Sequence, residues 1–324
     1  MKYLITGGLG FIGSNMIHYL LEKYSDISVC NLDKMTYAGN PANVADVADD
    51  PRYSFVKGDI ADPDIVDKTF SECKPDVVIH FAAESHVDRS IADPDVFIRT
   101  NVVGTHELLK AARAYEVQRF HHVSTDEVYG QIPLDSDERW TESSPYRPRS
   151  PYSASKAASD HFVRAYYHTY NLPVTISNCA NNIGPYMYPE KLLPLAITNL
   201  LEGKKVPVYT PGNQVREWLY VEDHCSAIDS IVAKGIPGET YFVGPDNPQL
   251  SNLEVIKKLL AIMRRGEDMI EFVKDRPGHD QKYALDHSKI TRELGWHPRY
   301  SLDESLERMV GWFTQNESWW KPLK

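Results

Sequence analysis

Tyr152-Ser153-Ala154-Ser155-Lys156 sets a phenol and an ammonium four residues apart. In a helix that spacing brings them to one face, about one turn apart. A tyrosine ordinarily titrates near 10, and a close cation favours its phenolate, moving it toward the range of a general base at neutral pH. Upstream, Ser124-Thr125-Asp126-Glu127 sets two adjacent carboxyls at the end of an otherwise apolar run. Two carboxyls in a dry pocket can split their proton affinities, one protonated as an acid while the other is ionised as a base. The alternatives are a solvated helix face for Tyr152 and Lys156, and a loop or helix cap for the two acids. The apolar flanks of Asp126 and Glu127 weigh against the second.

A further motif lies near the N-terminus. Gly7-Gly8-Leu9-Gly10-Phe11-Ile12-Gly13 follows a short apolar run and opens a helix-period segment, matching G-x-G-x-x-G at Gly8, Gly10 and Gly13. Glycines there let backbone N–H groups approach a pyrophosphate at the positive end of a helix dipole. Asp33 stands 20 residues beyond Gly13, where a carboxylate can accept both ribose hydroxyls and repel a 2′-phosphate. That favours NAD over NADP, with Lys34 pulling the other way. Asp59 either meets the adenine amino group or caps the helix that follows.

The elements that must position these groups are legible as alternation. Strands are predicted at Tyr3–Thr6, Ser28–Leu32, Ser54–Lys57, Val77–Phe81, Phe120–Ser124 and Val174–Asn178. Helices are predicted at Ser14–Lys23, Ile65–Cys73, Val96–Tyr115 and Tyr152–Tyr170. This is the pattern of βαβ units and hence of an α/β, doubly wound parallel sheet of Rossmann type. Ligands of such a sheet collect at the carboxyl ends of its strands. There the sequence places the glycine turn, Asp33, Asp59, Ala82-Ala83-Glu84-Ser85-His86, Thr125-Asp126-Glu127 and Cys179-Ala180-Asn181-Asn182. We expect a dinucleotide-binding domain over residues 1–180, with a return segment at about 221–240. A smaller mixed α/β substrate domain is expected over 181–324, where Pro and Gly are denser.

Composition removes several classes. With 35 basic and 45 acidic residues the net charge is −10, so the basic footprint of a nucleic-acid binder is missing. Cys30, Cys73, Cys179 and Cys225 show no metal-ligand spacing and read as reduced and mostly structural; no metal is expected. No apolar run approaches the roughly 20 residues that span a bilayer, and no signal peptide is read at the N-terminus, so the expected location is cytoplasmic. His86, His121 and His122 read as structural or supporting groups, and Trp312, Trp319 and Trp320 as packing or contact surface.

Taken together, the glycine motif, Ala82-Ala83-Glu84-Ser85-His86-Val87-Asp88, Ser124-Thr125-Asp126-Glu127-Val128-Tyr129-Gly130, Tyr152 with Lys156, and Asn181-Asn182-Ile183-Gly184-Pro185 resemble the extended short-chain dehydrogenase/reductase family. Within it they resemble the nucleotide-sugar 4,6-dehydratases. The likeness continues through Pro189-Glu190-Lys191-Leu192, Arg216-Glu217-Trp218-Leu219-Tyr220 and Asp275-Arg276-Pro277-Gly278-His279. Departures fall at Ile183, Tyr209-Thr210-Pro211-Gly212, Val243-Gly244-Pro245 and the stretch Asp246–Asn252.

The resemblance implies a mechanism. Tyr152, assisted by Lys156, removes the sugar 4-hydroxyl proton while C4 gives hydride to NAD, with Thr125 bonded to that hydroxyl. Glu127 then takes the C5 proton as Asp126 protonates the departing 6-hydroxyl, and hydride returns to C6. It also implies cofactor contacts from Gly7, Gly10, Phe11, Ile12, Gly13, Asp33, Lys34, Thr36, Asp59, Ile60, Phe81, Ala82, Ala83, Ser85, Thr100, Tyr152, Lys156 and Asn182. The sugar nucleotide would be held by Glu84, Ser85, Thr125, Asn181, Lys191, Leu192, Pro207, Tyr209, Arg216, Asn252, Arg276 and His279. Arg216 and Arg276 suit a diphosphate, or else form interdomain salt bridges. A homodimer through Val96–Tyr115 and Tyr152–Tyr170 is implied as well. A dTDP-linked glucose is the expected substrate. The alternatives are a UDP-linked sugar, a 4-epimerase or decarboxylase, and a catalytically silent NAD-binding scaffold.

Overall fold

The computed structural model describes residues 1–275 and 278–324. Its first half alternates β1 (Lys2–Thr6), α1 (Phe11–Lys23), β2 (Ser28–Asp33), β3 (Tyr53–Lys57), α2 (Pro63–Cys73) and β4 (Val77–His80). Then come the short α3 (Val87–Ala92) and α4 (Asp95–Phe97), α5 (Thr105–Ala114), β5 (Arg119–Thr125), α6 (Pro151–Tyr170) and β6 (Val174–Cys179). Beyond it lie β7 (Asn181–Ile183), α7 (Leu192–Leu201), β8 (Val206–Tyr209), β9 (Val215–Arg216), β10 (Trp218–Tyr220), α8 (Val221–Lys234) and β11 (Thr240–Val243). The chain continues through β12 (Leu250–Ser251), α9 (Asn252–Ile262), β13 (Ile270–Val273), α10 (Ser288–Leu294) and α11 (Leu302–Gln315).

The six predicted strands form, with β11, one seven-stranded parallel sheet in the order β11-β6-β5-β4-β1-β2-β3. Chain order reverses between β1 and β4, which opens a crevice at their carboxyl ends. Both faces are covered, which is why the strands are near-continuous apolar runs rather than alternating ones. Phe70, Leu108, Phe120 and Val163 pack one face, and Met16, Leu20, Ile79 and Ile228 the other. The return segment expected at about 221–240 is α8; it packs on α1 and delivers β11 beside β6. Strand β11 has no sequence expectation behind it, because Thr240–Val243 is a four-residue run directly after Pro237-Gly238. A separate apolar cluster is built from Ile183, Leu193, Trp218, Leu259, Phe313 and Trp320.

Two expectations need correction. The predicted helix Val96–Tyr115 is not uniform: a π-helical turn occupies Ile98–Gly104 between α4 and α5. Its wider winding turns Asn101 inward, where it bonds Glu84 N, Glu84 O and Ser155 Oγ. The cysteines are also not all reduced, since Cys30 and Cys73 are joined as a disulfide and Cys179 and Cys225 are free and buried. The crossover from β2 to α2 brings together two residues 43 positions apart, a proximity that local Cys spacing does not reveal.

Candidate active site

The glycine turn is built by contacts that exclude side chains. Gly7 has φ +74°, and a Cβ there would lie 2.7 Å from Ala82 Cα; a Cβ on Gly13 would collide with Gly7 O. The turn closes through Gly10 N–H donating to Gly7 O, and no side chain caps the first N–H groups of α1. This is the cradle a pyrophosphate requires. Asp33 ends β2, buried, accepting from Leu9 N–H at 3.0 Å and Met35 N–H at 2.7 Å, and burial raises its carboxyl above the usual range.

Asp59 does not cap α2; Asp62 does. Burial raises the Asp59 carboxyl, but the Lys34 ammonium at 2.8 Å, the Ala61 N–H and the Arg99 charge outweigh that and hold it below its ordinary value. Lys34 is thus engaged with Asp59.

Below this cradle, Thr125 ends β5 and caps a 3-10 turn over Asp126–Tyr129, its Oγ1 accepting from Glu127 N–H. Helix α6 starts with a capping box between Ser150 and Ser153 and with Pro151 in its first turn, so Tyr152 sits at the helix mouth and Lys156 one turn inside. Burial, then the Glu127 charge, pushes the Asp126 carboxyl well above its usual value, with Arg216 pulling it back. Of the two carboxyls, Asp126 is therefore the one that burial biases toward its protonated form. Its Oδ2 has no hydrogen-bond partner among the described residues, and Thr125 Oγ1 donates to Oδ1 at 3.2 Å.

Tyr152 departs from expectation. Burial and the Glu127 charge raise its phenol well above 10, and the Thr125 hydrogen bond only partly opposes them. Desolvation therefore exceeds what Lys156 contributes in the protein alone.

One cavity of about 340 Å³ joins the cradle to this cluster. Its wall contains Gly7, Gly10, Phe11, Ile12, Gly13, Asp33, Lys34, Thr36, Asp59, Ile60, Phe81, Ala82, Ala83, Glu84, Ser85, Thr100, Thr125, Asp126, Glu127, Tyr152, Lys156, Asn181, Asn182 and Lys191. Asn182 is held by Ala180 O and by His224, a buried histidine on α8. The wall also has Tyr37 and Tyr188, which motif reading does not single out, and Glu190, which it quotes without giving it a role.

Leu192, Pro207, Tyr209, Arg216, Asn252 and His279 do not line that cavity. Leu192 opens α7 next to Lys191, and Pro207 pairs with Glu271 across β8 and β13. Tyr209 meets the His279 ring edge-on at 5.7 Å, and His279 bonds Asp275 at 2.7 Å. Asn252 N–H donates to Gln214 O, while its side-chain Oδ1 is buried without a partner among the described residues. Asn247, in the same departing stretch Asp246–Asn252, is spent on Trp218 O and Leu302 N–H. The Arg216 guanidinium is buried over the Tyr283 ring and donates to Asp280 O at 2.7 Å and Val215 O at 2.8 Å. It forms no salt bridge among the described residues, unlike the alternative considered for it. Arg276 lies outside the described residues.

Comparison with known proteins decides between the members of this fold. A family model described as GDP-mannose 4,6 dehydratase matches residues 4–309. The dTDP-glucose 4,6-dehydratase of Neisseria meningitidis serogroup B is 49% identical, over 99% of this chain and 95% of the relative. The chain belongs to the dTDP-glucose 4,6-dehydratase family. DesIV, the dTDP-glucose 4,6-dehydratase of Streptomyces venezuelae solved with NAD, superposes with TM-score 0.96 at 49% identity, each chain fully covered. The UDP-glucose 4-epimerase of Thermotoga maritima reaches TM-score 0.91 at only 27% identity, over 98% of this chain and all of that one. The epimerases of the fold thus share its architecture, while the dehydratase family shares nearly twice as much of its sequence.

Proposed function

We propose that the protein converts dTDP-glucose to dTDP-4-keto-6-deoxyglucose in an NAD-dependent 4,6-dehydration. The observation that carries this reading is Asp126 beside Glu127 at the end of β5: a buried carboxyl biased toward its protonated form next to a half-buried one. A 4-epimerisation leaves the 6-hydroxyl in place and has no use for such an acid.

NAD, when bound, supplies the hydride acceptor for C4 and the donor for C6. Its pyrophosphate belongs in the Gly7–Gly13 cradle, its adenosine ribose at Asp33, and its adenine near Asp59 and Ile60. Tyr152 accepts the 4-hydroxyl proton, with Thr125 orienting that hydroxyl. The C4 ketone acidifies C5, so Glu127 takes the C5 proton while Asp126 gives its proton to the leaving 6-hydroxyl, releasing water. Glu127 returns a proton to C5 as hydride reaches C6. At the end Tyr152 holds one extra proton and Asp126 lacks one, and exchange with water between turnovers resets both.

Residues 1–180, with the return segment at about 221–240, serve the cofactor in this reading, and 181–324 the sugar nucleotide. Tyr209, Arg216, Asn252 and His279 then form the nucleotide end of the site, the unpartnered Asn252 Oδ1 being available to a donor on the ligand. Two copies would pair through Val96–Tyr115 and Tyr152–Tyr170, where Ile98, Val103 and Phe162 remain 54%, 42% and 41% exposed. No helix among the described residues is long and apolar enough to cross a membrane. A cytoplasmic location fits reactants such as NAD and a nucleotide sugar.

The test is to incubate the protein with dTDP-glucose, and separately with UDP-glucose and both N-acetylglucosamine counterparts, in D2O. The dTDP-glucose product should be a 4-keto-6-deoxy sugar with deuterium at C5, while the hydrogen arriving at C6 comes undiluted from substrate C4. Glu127→Gln should abolish elimination. A product without C5 deuterium, or an epimer in place of a ketone, would overturn the reading.

A further inference from the structure

Lys156 lines the substrate cavity, but its ammonium also leads away from it into a closed cluster that none of the steps above uses. Nζ donates to Val123 O at 2.8 Å and lies 3.3 Å from His122 Nε2. That same nitrogen is 3.2 Å from Asp160 Oδ1. The other carboxylate oxygen, Oδ2, accepts from Tyr146 OH at 2.8 Å, Ser124 Oγ at 3.0 Å and Asn178 Nδ2 at 3.4 Å. His122 and Asp160 are both wholly buried.

A fully buried carboxylate costs several kcal/mol unless charges and donors compensate it. On α6, Tyr152, Lys156 and Asp160 recur at four-residue spacing, so they fall on neighbouring turns of one helix face. His122 projects from β5 between the last two. Its Nε2 can donate to Asp160 or accept from Lys156, not both, and its Nδ1 has no partner among the described residues. The proton on His122 is thereby tied to the charges on either side.

We propose that Asp160 and His122 are positioning residues for the proton transfer at Tyr152: the Asp160 carboxylate, acting through His122, keeps Lys156 an ammonium at the cavity wall. This rests on the reading of Tyr152 and Lys156 as the proton-transfer pair. The surroundings leave Asp160 as the charge that does so. From β4, the His80 ring lies tilted against that of His122, centroids 5.2 Å apart, and is kept neutral by burial. From β6, burial pushes the Cys179 thiol up to about 12. Tyr129 and Tyr146, from the stretch between β5 and α6, are raised by burial and stay neutral. On the cavity side, burial biases Asp126 toward its protonated form, and Glu127 lines the cavity wall. Arg164, one turn further along α6, is satisfied by Tyr146 OH at 2.7 Å and Thr240 Oγ1 at 3.0 Å. Burial lowers Lys156 to about 8 against the Asp160 charge, and burial with the Lys156 charge lowers His122 to about 4.

The measurement is the pH dependence of kcat and KM for the protein as purified with its cofactor, and for Asp160→Asn and His122→Asn. In the native protein kcat should decline above about pH 8 as Lys156 loses its proton. Asp160→Asn keeps the shape and removes the charge, so that decline should move acidward by about one pH unit, roughly fivefold lower kcat at pH 8. KM and NAD content should be unchanged. His122→Asn should shift the limb in the same direction by a smaller amount. A merely structural role would lower cofactor content or thermal stability at every pH and leave the limb in place. A cofactor-loaded Asp160→Asn whose profile overlays the native one overturns the proposal. If that variant does not fold, the His122→Asn profile decides in the same way. Tyr152→Phe separates the two readings: near-native turnover there removes Tyr152 as the base, whereas an inactive Tyr152→Phe with an unmoved Asp160→Asn limb removes only the role of Asp160.

Discussion

The Tyr37 hydroxyl donates to the Glu190 carboxylate at 3.0 Å, tying the loop after β2 to the segment that precedes α7 across the mouth of the cavity. Arg89 lies over the Tyr37 ring with its guanidinium carbon 3.5 Å from the centroid, and Tyr188 meets the same ring edge-on. Asn15 of α1 adds a second tie by donating to Pro185 O at 3.0 Å. These links close the cofactor half against the second half of the chain over the cradle. A cofactor that must receive hydride from C4 and return it to C6 of the same sugar has to be held through the whole cycle.

Tyr37→Phe removes one half-buried hydrogen bond of this closure and leaves the ring under Arg89. A net hydrogen bond is worth about 1 kcal/mol, so release of NAD should be about fivefold faster. Exchange of bound for labelled NAD would measure it, with kcat at saturating NAD changed little.

Asp126→Asn removes the acid for the 6-hydroxyl while keeping its shape. Elimination should fall by about 10²–10⁴, and quenched single turnovers should show a 4-keto sugar that retains its 6-hydroxyl. Because burial raises the Asp126 carboxyl above its unfolded value, the folded state holds a proton that the unfolded chain releases. The stability this lends at low pH fades as pH rises from the unfolded value through the folded one. The neutral amide has no such term, so its Tm should exceed the native one near pH 8, with the difference shrinking in acid. Calorimetry across that pH range checks the sign.

Tyr152→Phe keeps the ring against Phe97 and deletes the base for the 4-hydroxyl. Turnover should drop by about 10²–10⁴. Because the protein alone raises the Tyr152 phenol, the residual proton transfer in the native enzyme should strengthen with pH until Lys156 loses its proton. A bell-shaped profile should therefore flatten in the Phe variant.

Arg216→Ala should weaken dTDP binding by roughly 1.5–3 kcal/mol if the guanidinium meets a diphosphate, as titration calorimetry would report. Unchanged binding with a lower Tm would mean that its bonds to Asp280 O and Val215 O are its whole purpose.

The local spacing of residues by itself determined the chemistry of the cofactor half. Gly7, Gly10 and Gly13 follow an apolar run, Asp33 stands at the end of the next, and Tyr152 and Lys156 share a helix face. Each is a short-range pattern that secondary structure converts directly into geometry, and the rule for parallel sheets then gathers the strand ends into one crevice. The same holds for Asp126 beside Glu127, whose apolar flanks already announce burial. What only the tertiary structure decided are relations between residues far apart in sequence. Cys30 meets Cys73, His122 meets Asp160 and Lys156, Tyr37 meets Glu190, and the short run Thr240–Val243 finds its place as an edge strand beside β6. No periodicity records these, because they depend on which faces of separate elements are packed together. The proton affinity of Tyr152 belongs here too: spacing sets its nearest cation, but the surrounding fold sets how much water it loses, and that loss is the larger effect.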